Sequence, residues 1–82
     1  MIHNLKTIPP YWTHVFSGAK TFEVRRNDRG FLVGDILSLD EWAPEQENYT
    51  GRQLAVRVDY ILDAPAFVKE GFVVMSISII NK

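Results

Sequence analysis

Four cations, two carboxylates and one amide fall within the ten residues from Lys20 to Arg29: Lys20, Arg25, Arg26 and Arg29, with Glu23, Asp28 and Asn27. A lysine held beside a carboxylate in a partly closed site can exchange protons or bind a polar ligand edge. Lys20 and Glu23 are therefore the candidates for acid–base chemistry, and Arg25 can pair with Glu23 two residues earlier. The segment carries a local net charge of +2, whereas the whole chain is −1, which leaves −3 elsewhere. A compact positive patch on a mildly acidic body can focus a phosphate or a small anionic ligand. It excludes the global basicity of a protein that coats long nucleic acid. The same charges also suit a solvated edge strand, where they block aggregation and pair only weakly.

The elements that must position these groups are legible from periodicity. Phe22 and Val24 alternate with Thr21, Glu23 and Arg25. This predicts a short strand with the apolar pair toward the core and the charged pair on the opposite face. Lys20 shares the parity of the apolar set, so either the strand starts after it or its ammonium points into a cleft. Before it, Pro9-Pro10 followed by Tyr11, Trp12, Val15 and Phe16 predicts an amphipathic helix over 9–17, with Gly18 as its left-handed cap. Tyr11 and Trp12 serve either as packing or as a stacking platform for a base next to Lys20. After it, Asn27-Asp28-Arg29-Gly30 is turn chemistry.

The remaining pattern is mostly strand. Ile2 to Thr7 reads as a strand with Leu5 inward and His3 and Lys6 outward. Phe31-Leu32-Val33 crosses the core between turns at 27–30 and Gly34-Asp35. Ile36 to Trp42 places Leu37 and Leu39 inward, with Trp42 at the barrel edge. Ala43 to Gly51 is a polar, acidic loop suited to a lid, with Thr50-Gly51 turning into the next strand. Arg52 to Leu62 directs Leu54, Val56, Val58, Tyr60 and Leu62 inward and leaves Arg57 and Asp59 as an exposed ion pair. Asp63 to Glu70 is a loop. Gly71 to Ile80 is so apolar that it must be paired on both sides, which argues for a closed or nearly closed barrel.

Eighty-two residues make a single domain spanning 1–82. Such a chain buries only about 60–65% of its unfolded surface, so each large apolar residue matters. With 46% apolar and 12% aromatic residues it is a folding sequence. Without cysteine it can form neither a disulfide nor a thiolate metal site. His3 and His14 lack partners at ligand spacing, so no metal or other cofactor is expected. The first residues lack a signal-peptide core, and no apolar run approaches the ~20 residues of a membrane helix. A cytoplasmic protein with no membrane association is expected; the composition does not indicate an oligomeric state.

Gly18, Lys20, Glu23 and Arg25 stand as G-x-K-x-x-E-x-R. In its setting this motif resembles the signature of the ASCH domains (activating-signal-cointegrator homology), a branch of the PUA-like β-barrels. The setting comprises the preceding helix, Asn27-Asp28-Arg29, Val33-Gly34-Asp35, Tyr49-Thr50-Gly51-Arg52 and a final apolar strand. The chain is similar, from about His3 to Ile79, to small uncharacterised ASCH-like proteins of bacteria and their phages. The resemblance implies a mainly β (α+β) fold: a small barrel of about five to six strands crossed by one N-terminal helix. It implies RNA or a modified nucleobase as ligand, held between the helix and the motif strand. Lys20 and Arg25 would contact phosphate or a base edge, Glu23 would orient them, and Asn27 and Asp28 would shape the rim. Arg29 and Arg52 would extend the positive surface, and Tyr11 or Trp12 would stack. An unstacked base in a small cleft favours single-stranded or structured RNA over duplex DNA.

Two other functions fit. Some small ASCH proteins similar to this one hydrolyse an amide on a modified cytidine nucleoside with a lysine, a threonine and a distant carboxylate. Lys20 matches the lysine, but Glu23 occupies the threonine position, and only Asp59, Asp63 and Glu70 offer a distant acid. A Lys–Glu pair could instead activate water. Alternatively, an exposed Trp42 and the acidic loop would mark a protein-interaction module of a regulatory assembly.

Overall fold

The computed structural model describes residues 1–81. In chain order the elements are β1 (Ile2–Thr7), α1 (Tyr11–Phe16), β2 (Phe22–Arg26), β3 (Ile36–Ala43), β4 (Asn48–Leu62) and β5 (Phe72–Ile79). The five strands form one sheet in the order β1-β3-β4-β5-β2. β1 runs parallel to β3, and every other pairing is antiparallel. β5 lies between β4 and β2, so the most apolar strand is paired on both sides, as its composition requires. β1 and β2 are the two edges. Arg25 and Arg29 reach from the β2 side to backbone carbonyls of β1, so the sheet is curled into an incompletely closed half-barrel. No helix among the described residues is long and apolar enough to cross a membrane.

The concave face holds the core. Leu5, Leu37, Leu39, Leu54, Val56, Val58, Val73, Met75 and Ile77 converge there, and Trp12 and Val15 of α1 cover its end. The alternation of each strand supplies these residues. The helix is shorter than its periodicity suggests, 11–16 rather than 9–17, because Pro9 and Pro10 lie in a turn ahead of it.

Several expected orientations are reversed, each for a local reason. Tyr60 and Leu62 face outward, because a register shift between Val58 and Tyr60 inverts the parity of β4 and brings Ile61 against the core instead. The segment 43–51 is not a lid: β3 runs to Ala43 and β4 begins at Asn48, which leaves only a tight turn at 44–47. Gly51 therefore lies inside β4, where its φ of +95° accompanies the bulge that shifts register between Asp40 and Trp42. Of the 31–33 segment only Phe31 enters the core, while Leu32 and Val33 are exposed. Trp42 is half-buried at the sheet edge, with the Lys6 ammonium 3.8 Å from its ring. Arg57 and Asp59 form the exposed pair the strand pattern suggests.

His3, expected outward, is buried on the same face as Leu5. Its Nε2 lies 2.9 Å from Asp35 Oδ2, which also accepts the Leu32 N–H at 3.0 Å. Chiefly the His3 bond, then the Leu32 amide, lowers the Asp35 carboxyl from 3.8 to about 2. Because the folded value lies below the unfolded one, this contribution to stability is present above pH ~4 and lost as pH falls toward ~2. Urea midpoints measured across that window will fall more steeply in the wild type than in Asp35→Asn; parallel curves would contradict this assignment.

Candidate functional site

The end of α1 sets the position of Lys20. Gly18 takes φ +86°, donates its N–H to Val15 O at 3.0 Å, and lets the chain turn so that the Lys20 N–H reaches His14 O at 2.9 Å. β2 starts two residues later, at Phe22. Both sequence alternatives for Lys20 therefore hold: the strand begins after it, and its ammonium points into a cleft.

Glu23 is the centre of the arrangement and only 3% exposed. The expected facing of β2 is inverted: Glu23 and Arg25 point to the concave side, and Phe22 and Val24 face solvent. A buried carboxylate is tolerable only when it is paired and hydrogen-bonded. Here Lys20 Nζ donates to Glu23 Oε2 at 2.5 Å and to Phe22 O at 2.6 Å. Arg25 Nε donates to Glu23 Oε1 at 3.0 Å, with Arg25 Nη2 2.8 Å from the same oxygen. Arg25 Nη2 also donates to Thr7 Oγ1 at 3.0 Å, and Nη1 to Lys6 O at 3.0 Å. Thr7 donates its own O–H to Leu5 O at 3.1 Å. The inversion follows from the edge position of β2. Its inner face meets the open seam against β1, where polar groups need partners, and the Glu23 cluster provides them. Arg29 Nη1 extends the same closure by donating to Asn4 O at 2.9 Å.

Beside this network lies a cleft of about 550 Å³, lined by Lys6, Thr7, Ile8, Tyr11, Lys20, Phe22, Glu23, Val24 and Arg25. Its size matches small-molecule sites, and its walls are largely apolar with a few convergent polar groups. Tyr11, Phe22 and Ile8 supply exposed apolar surface at the mouth.

The structure thus brings together Lys20, Glu23, Arg25 and Tyr11. The other predicted residues lie apart. Trp12 is 3% exposed, stacked on Phe16 at 5.3 Å, covered by the Arg52 guanidinium at 4.3 Å, and bonded through Nε1 to Leu39 O at 2.8 Å. Both ring faces are occupied, so Trp12 is no platform for a base, which corrects that expectation. Arg52 forms a two-pronged pair with Glu41 at 2.8 Å for each bond, and Thr50 also donates to Glu41. The Arg52 bond chiefly lowers the Glu41 carboxyl, and the same contact raises the Arg52 guanidinium. Arg52 borders a separate groove with Asp40, Tyr49 and Gln53, not the cleft. Asn27 Oδ1 accepts the Phe31 N–H and closes the turn. Asp28 is exposed within that turn and does not line the cleft.

Sequence reasoning missed Lys6, Thr7, Ile8, Phe22 and Val24 as cleft residues. Thr7 shares its parity with Leu5, which signals an inward side chain. Its pairing with Arg25, eighteen residues away, has no local signature.

Comparison with known proteins adds kinship. The chain is 33% identical over 69 residues to an uncharacterised 12.9 kDa protein encoded in the GpA 3′ region of Escherichia phage P2. The match covers 84% of this chain and 62% of the phage protein, so the chain spans less than two thirds of that relative. A protein family described as "Domain of unknown function (DUF3850)" matches residues 2–77. That match takes in every strand but the last two residues of β5, and the whole cleft, and the chain belongs to this family.

Proposed function

We propose that this protein is an ASCH-like, PUA-like domain that binds an unpaired nucleobase, carried by single-stranded RNA or by a modified nucleoside, in the cleft between α1 and β2. The observation that carries the reading is a buried Glu23 bonded to the half-buried Lys20 and Arg25 on the wall of an otherwise apolar, base-sized cleft with Tyr11 and Phe22 at its mouth. Apolar walls accept the base face, and polar groups at the wall orient its edge. A base paired within a duplex cannot enter such a space.

The test is a binding screen of short single-stranded RNAs and modified nucleosides. Tyr11 is half exposed, so Tyr11→Ala will leave the melting temperature within a few degrees of wild type. It will weaken binding by about tenfold or more, the scale of one lost base–aromatic stack. Lys20→Ala will also weaken binding, while Glu23 keeps Arg25 as a partner. Undiminished binding in both variants would refute the site. A second reading, hydrolysis of an acylated nucleoside, is favoured by one observation: the Thr7 hydroxyl joins the same cluster through Arg25. It requires product to accumulate with time in the same screen, and to be lost in Thr7→Val.

A further inference from the structure

Three cations line the cleft: Lys6 holds its ammonium 3.8 Å from the Trp42 ring centroid, and the other two are already engaged in hydrogen bonds. Lys20 is bonded to Glu23 and to the Phe22 carbonyl, and Arg25 to Glu23, Thr7 and the Lys6 carbonyl. A phosphate would find only their remaining N–H groups and would compete for these cations with the buried Glu23 carboxylate. What the cleft does offer is backbone. In the β2–β5 ladder Ile77 donates to Thr21 O and Asn27 donates to Gly71 O. The Cα pairs Glu23–Met75 and Arg25–Val73 fall in the same phase, so these are the bonded pairs. The Val24–Val74 pair falls between them, and Val24 therefore turns its N–H and C=O away from β5, toward the open edge of β2. Val24 lines the cleft and is 51% exposed. The corresponding carbonyl of Phe22 is capped by Lys20, but no side chain among the described residues caps Val24.

We infer that the cleft reads its ligand through the Val24 backbone edge, and that the ligand is a neutral planar heterocycle with a hydrogen-bond donor and acceptor side by side, not a phosphate. An adjacent N–H and C=O on a strand edge complement the amide-like edge of such a ring, as they would the next strand of a sheet. Tyr11, Phe22 and Ile8 then contact the ring faces, and the Lys20–Glu23–Arg25 cluster holds β2 in place. This inference rests on the nucleobase reading above and specifies how that site selects its ligand.

The test titrates the full chain with uridine and guanosine, with their ring-N-methyl derivatives, which lose the edge donor and stay neutral, and with ribose phosphate. Val24→Pro is the companion variant. It deletes the N–H that faces the cleft and spares the ladder, because proline is tolerated on an edge strand at a non-bonded position. The expected result is nucleoside binding that changes little with added salt, no binding of ribose phosphate, and about tenfold weaker binding both of the methylated derivatives and by Val24→Pro. Should Val24→Pro fail to fold, the methylated derivatives decide the matter on the wild type. Nucleoside binding that is indifferent to methylation would overturn this inference and leave the nucleobase reading standing. Salt-sensitive binding of ribose phosphate in the cleft would also overturn it. Failure of the wild type to bind any nucleoside would overturn both.

Discussion

Glu23→Leu is expected to lower the unfolding free energy by about 3 kcal/mol, the range for breaking a buried ion pair from one side. The substitution leaves Lys20 and Arg25 facing each other across an apolar side chain, with the bonds to both Glu23 oxygens gone. Both cations retain some contact with solvent, at 17% and 23% side-chain exposure, which keeps the cost at the lower end of that range. For a domain of this size the melting temperature would fall by roughly 4–8 °C per kcal/mol. Glu23→Gln keeps the shape and one acceptor oxygen, and will cost less, although its NH2 end then faces a second donor. Removing all three charges together with apolar residues of similar volume will restore much of the loss, since no charge then remains buried without a partner. Thermal and urea unfolding followed by circular dichroism measures each variant. A Glu23→Leu protein as stable as wild type would show that the cluster does not hold β2 to the seam.

The second large effect is expected at Trp12. Trp12→Ala removes a buried ring that packs against Phe16 and Arg52 and a hydrogen bond to Leu39 O. The expected cost is about 3–5 kcal/mol. Trp12→Phe restores most of the packing but leaves the Leu39 carbonyl without its donor, so it will cost about 1–2 kcal/mol. The same unfolding experiments test both. A Trp12→Ala protein that kept its stability but lost ligand affinity would return Trp12 to the role of a stacking platform.

The contrast between these two residues shows what the sequence can and cannot reveal. The strand pattern of Val73, Met75 and Ile77 identified the inner face of β5, because an uninterrupted alternation has one interpretation. Leu54, Val56 and Val58 did so for β4 up to the bulge, beyond which a single extra residue inverted the pattern at Tyr60 and Leu62. β2 failed differently. Its apolar–polar alternation is regular, yet the polar set faces inward, because the strand borders an open seam where the partners are backbone carbonyls of β1. Those partners are remote in sequence and carry no residue type. The motif residues Lys20, Glu23 and Arg25 were legible as a group, whereas Thr7 and Val24 joined the cleft through topology and register alone. Arg52 was grouped with them by charge, but its nearest carboxylate is Glu41 on β3, which fixes it beside a different groove.

The sheet also presents an outer apolar surface. Phe22, Ser76 and Tyr60 align in one row across β2, β5 and β4, and Val24, Val74 and Leu62 in the next. This surface is the specific observation in favour of a protein-interaction module, and it adjoins the cleft only along β2. Location therefore separates the two functions more directly than affinity does. Amide chemical shifts recorded during titration with a short single-stranded RNA and with free nucleosides test the central claim. Perturbations are expected to be confined to residues 6–8, 11 and 20–25, to saturate with one ligand per chain and to be lost in Tyr11→Ala. Shifts centred on Tyr60, Leu62 and Val74, or on the groove beside Arg52, or no shifts with any ligand, would contradict it.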